Sequence, residues 1–248
     1  SLAAGAGSYD PDSDGALDWN LTFWDGSSDP GFSNFDVMVV GSTCNTSTTG
    51  NCGGSNGFFS LGVSADGVLA HKDEITAARG NRTFLTGQDA DWHLLNSPGV
   101  VDNGPRGFLI NAVNWAASGT DLGVVALVDR YLADSGWIDL PGSFLSGDVA
   151  PADVYNNQSN LVNIGAGQSG FPVNEGLTSA GLSNWGVSSH SCFDPMDDYT
   201  IINIAGAGNV GCGVTLVSSA GADGGTDGGD DPDVPVVPLP ASAWFLLV

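Results

Sequence analysis

The sequence predicts an α/β domain over residues 17–219, built on a mostly parallel sheet with helices on both faces and antiparallel additions near the C-terminal end. Three observations carry this. Apolar runs are short and, as at 35–42 and 122–129, rich in Val, and near-continuous runs of that kind mark strands covered on both faces. Stretches with apolar residues near helical spacing lie between them, each ending close to a glycine. The resulting order of strand, helix, strand, helix, strand places successive strands parallel through crossover connections.

Taken in order, residues 19–24 (WNLTFW) alternate as a strand does, and FDVMVVGS at 35–42 is a buried strand ending in small residues. Residues 66–79 form a helix with Val68, Leu69, Ile75 and Ala78 inward, stopped at Gly80. A strand at 82–87 follows, then a helix at 107–117 closed by Gly119, then LGVVALVD at 122–129. Past Arg130 the pattern loosens: a strand at 160–164, a short helix or turn at 179–185, and an antiparallel pair formed by 199–205 and 214–218. The whole reads as one flavodoxin-like sheet of five to seven strands, preceded by an acidic leader (1–16) and followed by a Gly/Asp linker (220–233) and an apolar tail (234–248).

The charge excludes one class of partner. Acids number 28 against 5 bases, a net −23, and no base follows Arg130. A field of that sign repels phosphate backbones, so nucleic acid is not a partner; it suits saline surroundings and divalent cations. The four cysteines, an even number in so acidic a chain, point to an oxidising compartment. Cys44 and Cys52 bracket the polar loop NTSTTGN, which a disulfide would staple, and Cys192 with Cys212 would then pair by elimination, although four cysteines permit three connectivities.

The two ends read as addresses. Ala4-Gly5-Ala6 has the small-x-small pattern of a signal-peptidase site, which puts the mature start near Gly7. At the other end, AGADGGTDGGDDPD leads into VPVVPLPASAWFLLV. Residues 237–248 resemble the VPLPA type of PEP-CTERM sorting signal. The resemblance implies an exosortase-type sorting enzyme as partner, attachment to membrane only through this tail, and a place on the cell surface or outside a Gram-negative bacterium, with exopolysaccharide nearby. The apolar run stops at Val248 with no basic cluster after it, short of the ~20 residues that a spanning helix needs. The expectation is therefore a truncated or processed signal.

A second resemblance lies in the centre. FDVMVVGS, NRTFLTGQDADWH and FPVNEGLTSAGLSNWGVSSH are similar to the class I glutamine-amidotransferase-like superfold in its ThuA-like and secreted branches. The family's nucleophile elbow, G-x-C-x-G, is absent here: Cys44 follows Gly41-Ser42-Thr43 without the second glycine. The resemblance thus implies a domain without amidotransferase chemistry.

Candidate chemistry follows from the predicted sheet, because ligands of open α/β sheets bind beyond the carboxyl ends of the strands. Polar groups occupy three such ends: Gly41-Ser42, Gly87-Gln88-Asp89 with Asp91 and His93, and Asp129. With His190 reaching the same rim, Asp89, Asp91, His93 and His190 form a carboxylate and imidazole set for metal binding or acid–base catalysis. The alternative is a capped turn whose Asp side chains accept backbone N–H bonds, with His93 packed on Trp92. A separate candidate is Asp10-x-Asp12-x-Asp14-Gly15-x-x-Asp18, similar to short calcium loops of the dockerin and EF-hand type, though Leu21 stands where the bidentate Glu would be. Two G-x-G-x-x-G matches (165–170, 206–211) and a G-x-S-x-G match (53–57) lack the strand-to-helix context that their chemistry needs.

Two functions remain from the sequence. One is a non-catalytic surface or matrix component whose domain serves binding or assembly, with filaments as one form of it, the Pro-rich tail adding as a strand to a neighbour's sheet. The other is an extracellular hydrolase using the rim Asp and His residues.

Overall fold

The structure is a computed structural model, and it describes residues 7–11, 13–16, 18–24, 26–42, 65–96, 104–130, 136–206, 211–218 and 243–247. Cys44, Cys52 and Asp12 fall outside that set.

The chain folds as a mixed α/β protein. The predicted strand at 35–42 is β3 (Val37–Val40), after the hairpin β1 (Gly7–Tyr9) and β2 (Trp19–Phe23). The predicted helix at 66–79 is two helices, α1 (Ala65–Ala70) and α2 (Lys72–Ala78), separated at His71. Strand β4 (Arg79–Thr86) follows α2 directly, then α3 (Ala90–Asn96), α4 (Pro105–Ala117) and β5 (Leu122–Leu127). The second half is β6 (Val154–Ser159), β7 (Val162–Ile164), β8 (Ser189–Phe193), β9 (Tyr199–Ala205) and β10 (Cys212–Ser218), with β11 (Ala243–Leu247) last.

All described strands belong to one sheet, in the order β1-β2-β11-β3-β5-β4-β10-β8-β6, with β9 on β10 and β7 on β9. Strands β2, β11, β3, β5 and β4 are mutually parallel. Every other described pairing is antiparallel. This corrects the expectation of a mostly parallel sheet. The reason is in the connections: a parallel return needs a crossover of a dozen or more residues, usually helical. The described stretch between β5 and β6 supplies only a 3-10 turn at Gly136–Asp139 and bends, so the later strands run back antiparallel.

Alternation along the central strands divides the core. Met38, Val40, Leu85, Val124 and Ala126 join Val68 and Ile75 of α1 and α2 in one apolar cluster. Val37, Phe84, Val125 and Leu127 join Phe108, Ala112 and Ala116 of α4 in the other. Successive side chains of a strand point to opposite faces, so β5, buried at every position, feeds both. Glycine permits a close approach of β5 to α4 at Gly123, where a Cβ would stand 2.4 Å from the Ala116 carbonyl oxygen. Cys192 on β8 and Cys212 on β10 form a disulfide, with Cα atoms 5.7 Å apart.

At the amino end of β4, Asp148 receives Arg79 Nη2 at 2.9 Å and the Tyr199 hydroxyl at 2.9 Å. Burial, and then the charge of Asp148, push the Tyr199 phenol well above its ordinary range. Tyr199→Phe removes a hydrogen bond to a charged acceptor and is expected to cost about 1.5 kcal/mol, read as a lower urea midpoint with an unchanged slope.

Candidate functional site

Beyond the carboxyl ends of β4, β5 and β3, the rim is built by short connections. Gly87 follows β4 and donates its N–H to Val214 O at 2.8 Å, and its carbonyl accepts the His190 N–H at 2.8 Å. A Cβ on Gly87 would lie 2.0 Å from Ser191 O, so the absence of a side chain is what lets β8 approach. Gln88 is buried, with its Nε2 donating to Leu182 O at 3.2 Å. Asp89 then opens α3, its carbonyl accepting the Trp92 and His93 N–H groups. The loop after β5 is fixed from β8: Ser191 Oγ donates to Val128 O at 3.0 Å and accepts the Arg130 N–H at 2.9 Å. Asp129 lies between these two bonds.

Four side chains meet here. Asp89 Oδ1 lies 3.2 Å from His93 Nε2, one helical turn on. Asp89 Oδ2 lies 3.6 Å from His190 Nδ1, and Asp129 Oδ2 lies 3.0 Å from the same nitrogen. Asp89 is 1% exposed, His93 3%, His190 4% and Asp129 4%, so water does not screen these contacts as it would at the surface. His93 is walled by Trp92 at 5.0 Å and Trp185 at 5.7 Å between ring centroids. Its Nε2 lies 2.7 Å from Val187 O; a carbonyl only accepts, so that nitrogen carries the hydrogen.

The electrostatics follow from burial. Burial alone would depress the His190 pKa, but the hydrogen bond to Asp129 and the charges of Asp89 and Asp129 outweigh it and hold His190 above its usual value. Asp91 takes a neighbouring position. Its Oδ2 accepts the Ser42 N–H at 3.0 Å, which ties the end of β3 to α3. Burial raises its pKa to about 6, against the opposing hydrogen bonds from Ser42.

Of the four residues proposed from sequence, the structure brings Asp89, His93 and His190 together and turns Asp91 to Ser42. Both readings of the TGQDADWH segment are represented: Asp91 bonds a backbone N–H and His93 packs on Trp92, while Asp89 faces the two imidazoles. Asp129 was legible only as a polar strand end, and the Val187 carbonyl and Trp185 left no sequence signal at all.

The acidic leader gathers as well. Asp10, Asp14 and Asp18 each offer an oxygen within 4.8 Å of the others. Asp10 already accepts the N–H groups of Ser13, Asp14 and Gly15. Arg106 donates to Pro11 O and, at 2.7 Å, to Ser13 Oγ. A side-chain cation thus sits on this loop.

Among the described residues no helix is long and apolar enough to cross a membrane, and the tail residues 243–247 are the strand β11. Comparison with family models, with curated proteins and with solved structures finds no match to this chain.

Proposed function

We propose that the chain is an exported, envelope-sorted extracellular protein whose flavodoxin-like domain is a hydrolase, activating water at Asp89, His93, His190 and Asp129. One observation carries the catalytic part: two carboxylates and two imidazoles from three separate segments converge, buried, beyond the carboxyl ends of parallel strands. That is where α/β folds bind ligands, and such a set can take and hold a proton from attacking water. Water is assigned as the nucleophile because the G-x-C-x-G elbow is absent and the G-x-S-x-G match at 53–57 lacks the strand-to-helix sequence context. The excess of acids, the Cys192–Cys212 bridge and the VPLPA-like tail support the extracellular setting and an exosortase-type partner.

The test is turnover of a panel of chromogenic esters, amides, glycosides and phosphoesters by the full chain and by His190→Ala and Asp129→Asn. The expected loss in kcat is about 100-fold or more, with unchanged circular dichroism. No turnover across the panel, or equal turnover in the folded variants, would sink the reading.

A second reading, a non-catalytic matrix component, has one observation in its favour. Residues 243–247 add to the sheet as β11, parallel to both β2 and β3, and the same pairing made in trans would link copies. Negative-stain images of concentrated protein distinguish the two: filaments support assembly, and uniform single particles refute it.

A further inference from the structure

We propose that the cluster of Asp89, His93 and His190 is a binding site for one divalent transition-metal ion of the zinc class, with Asp129 beside it. The inference deepens the hydrolase reading by naming its cofactor, and rests on that reading only for what the ion would do.

Three observations support it. The first is spacing. One donor atom from each of Asp89, His93 and His190 lies within 4.8 Å of the others. Asp89 Oδ1 stands 3.2 Å from His93 Nε2, and Asp89 Oδ2 stands 3.6 Å from His190 Nδ1. Ligands about 2.0–2.1 Å from a tetrahedral ion are separated by about 3.3 Å, so the polar atoms already stand roughly where a coordination shell puts them.

The second is the state of the Asp89 carboxylate. Its Oδ1 is buried and accepts no hydrogen bond, although His93 Nε2 is 3.2 Å away. The hydrogen on that nitrogen is directed to Val187 O instead. A buried carboxylate oxygen with no donor is costly, and both ion-pair partners of Asp89 are imidazoles rather than lysine or arginine.

The third is charge. Asp89 and Asp129 are buried carboxylates in contact with two buried imidazoles. A divalent ion would offset an excess of negative charge that this interior cannot pass to water.

The donor set selects the ion. Two imidazoles and a carboxylate suit Zn2+, Fe2+, Co2+ or Ni2+, whereas Ca2+ and Mg2+ prefer oxygen alone. Three protein ligands also leave a position for water, as catalytic zinc sites do. Loading requires His93 Nε2 to exchange its hydrogen for the ion and release Val187 O. His190 must likewise present Nδ1, the atom now facing Asp89 and Asp129.

The experiment uses the full chain, stripped with a chelator and titrated with Co2+ and Zn2+. The expected result is one ion per chain, the intense visible absorption of four-coordinate Co2+, and displacement by Zn2+. Asp89→Asn and His190→Gln should each weaken binding by roughly 100-fold or more, as loss of a ligand exceeds the effect of losing an outer partner. Asp10→Asn with Asp14→Asn should leave it unchanged. Proton NMR of the unaltered protein gives a readout independent of any variant's folding. The chain has three histidines, and Co2+ should shift the ring protons of His93 and His190 but not His71, which packs on Trp24. Binding that leaves those resonances in place, or that disappears with the leader variant, overturns the proposal. Tight binding without turnover of any substrate upholds the ion site and refutes the hydrolase. Full turnover by stripped protein that binds no ion does the reverse.

Discussion

Gly87→Ala is expected to destabilise the protein by about 3 kcal/mol and to disperse the Asp/His cluster. Overpacking in a filled interior costs about 1–3 kcal/mol, and this case lies at the upper end. The added methyl would stand 2.0 Å from Ser191 O, 2.6 Å from its carbonyl carbon and 3.0 Å from its Cα. Backbone atoms of a paired strand cannot rotate away as a side-chain tip can. To relieve the clash β8 must retreat from the end of β4, taking with it the His190 N–H bond to Gly87 O. For a domain of this size, about 3 kcal/mol corresponds to a fall in Tm of roughly 6–12 °C, checked by thermal circular dichroism. Gly147→Ala is the control. Nothing lies within 4 Å of its Cβ position, so a change within about 0.5 kcal/mol is expected. An equal loss at both positions would contradict the close-approach argument.

Removing the Cys192–Cys212 bridge, as the double serine variant, is expected to cost about 3 kcal/mol. The two positions are 20 residues apart in sequence, and closing a loop of that length limits the unfolded chain by about that amount. The effect extends to the site, because His190 lies on the strand that the bridge ties to β10. Urea unfolding of the variant against the parent, without reductant, measures it. An unchanged midpoint would show that the pairing of β8 with β6 and β10 alone holds the strand.

How much of this was legible in the sequence depends on burial. β3 and β5 were readable because VMVV and LGVVAL are apolar on both faces. The β9–β10 pair was readable from the apolar residues Ile201, Ile202, Val214, Leu216 and Val217. β8 was not recognised as a strand. Its sequence is SHSCF, yet every position is buried; Ser191 and His190 are satisfied by tertiary hydrogen bonds and ion pairs that no local pattern reveals. The site divides along the same line. Asp89 and His93 are one helical turn apart and visible as a pair, whereas the distance from His190 to Asp129 depends on β8 crossing the end of the parallel strands. Asp91 shared the spacing of its neighbours but turned toward Ser42, a choice set by packing against β3. The sheet direction after β5 was misread because the described residues between β5 and β6 form a 3-10 helix and turns where a crossover helix was expected.

The position of β11 also constrains how the molecule can assemble itself. It pairs Trp19 with Ala243 and Val37 with Phe245, so among the described strands the hairpin of β1 and β2 meets the rest of the sheet through β11. Contacts so distant in sequence are slow to form, because their loop entropy is lost before any pairing compensates. β2 and β3 are therefore joined in the sheet only once Ala243–Leu247 has paired with both, a late step in closing this edge.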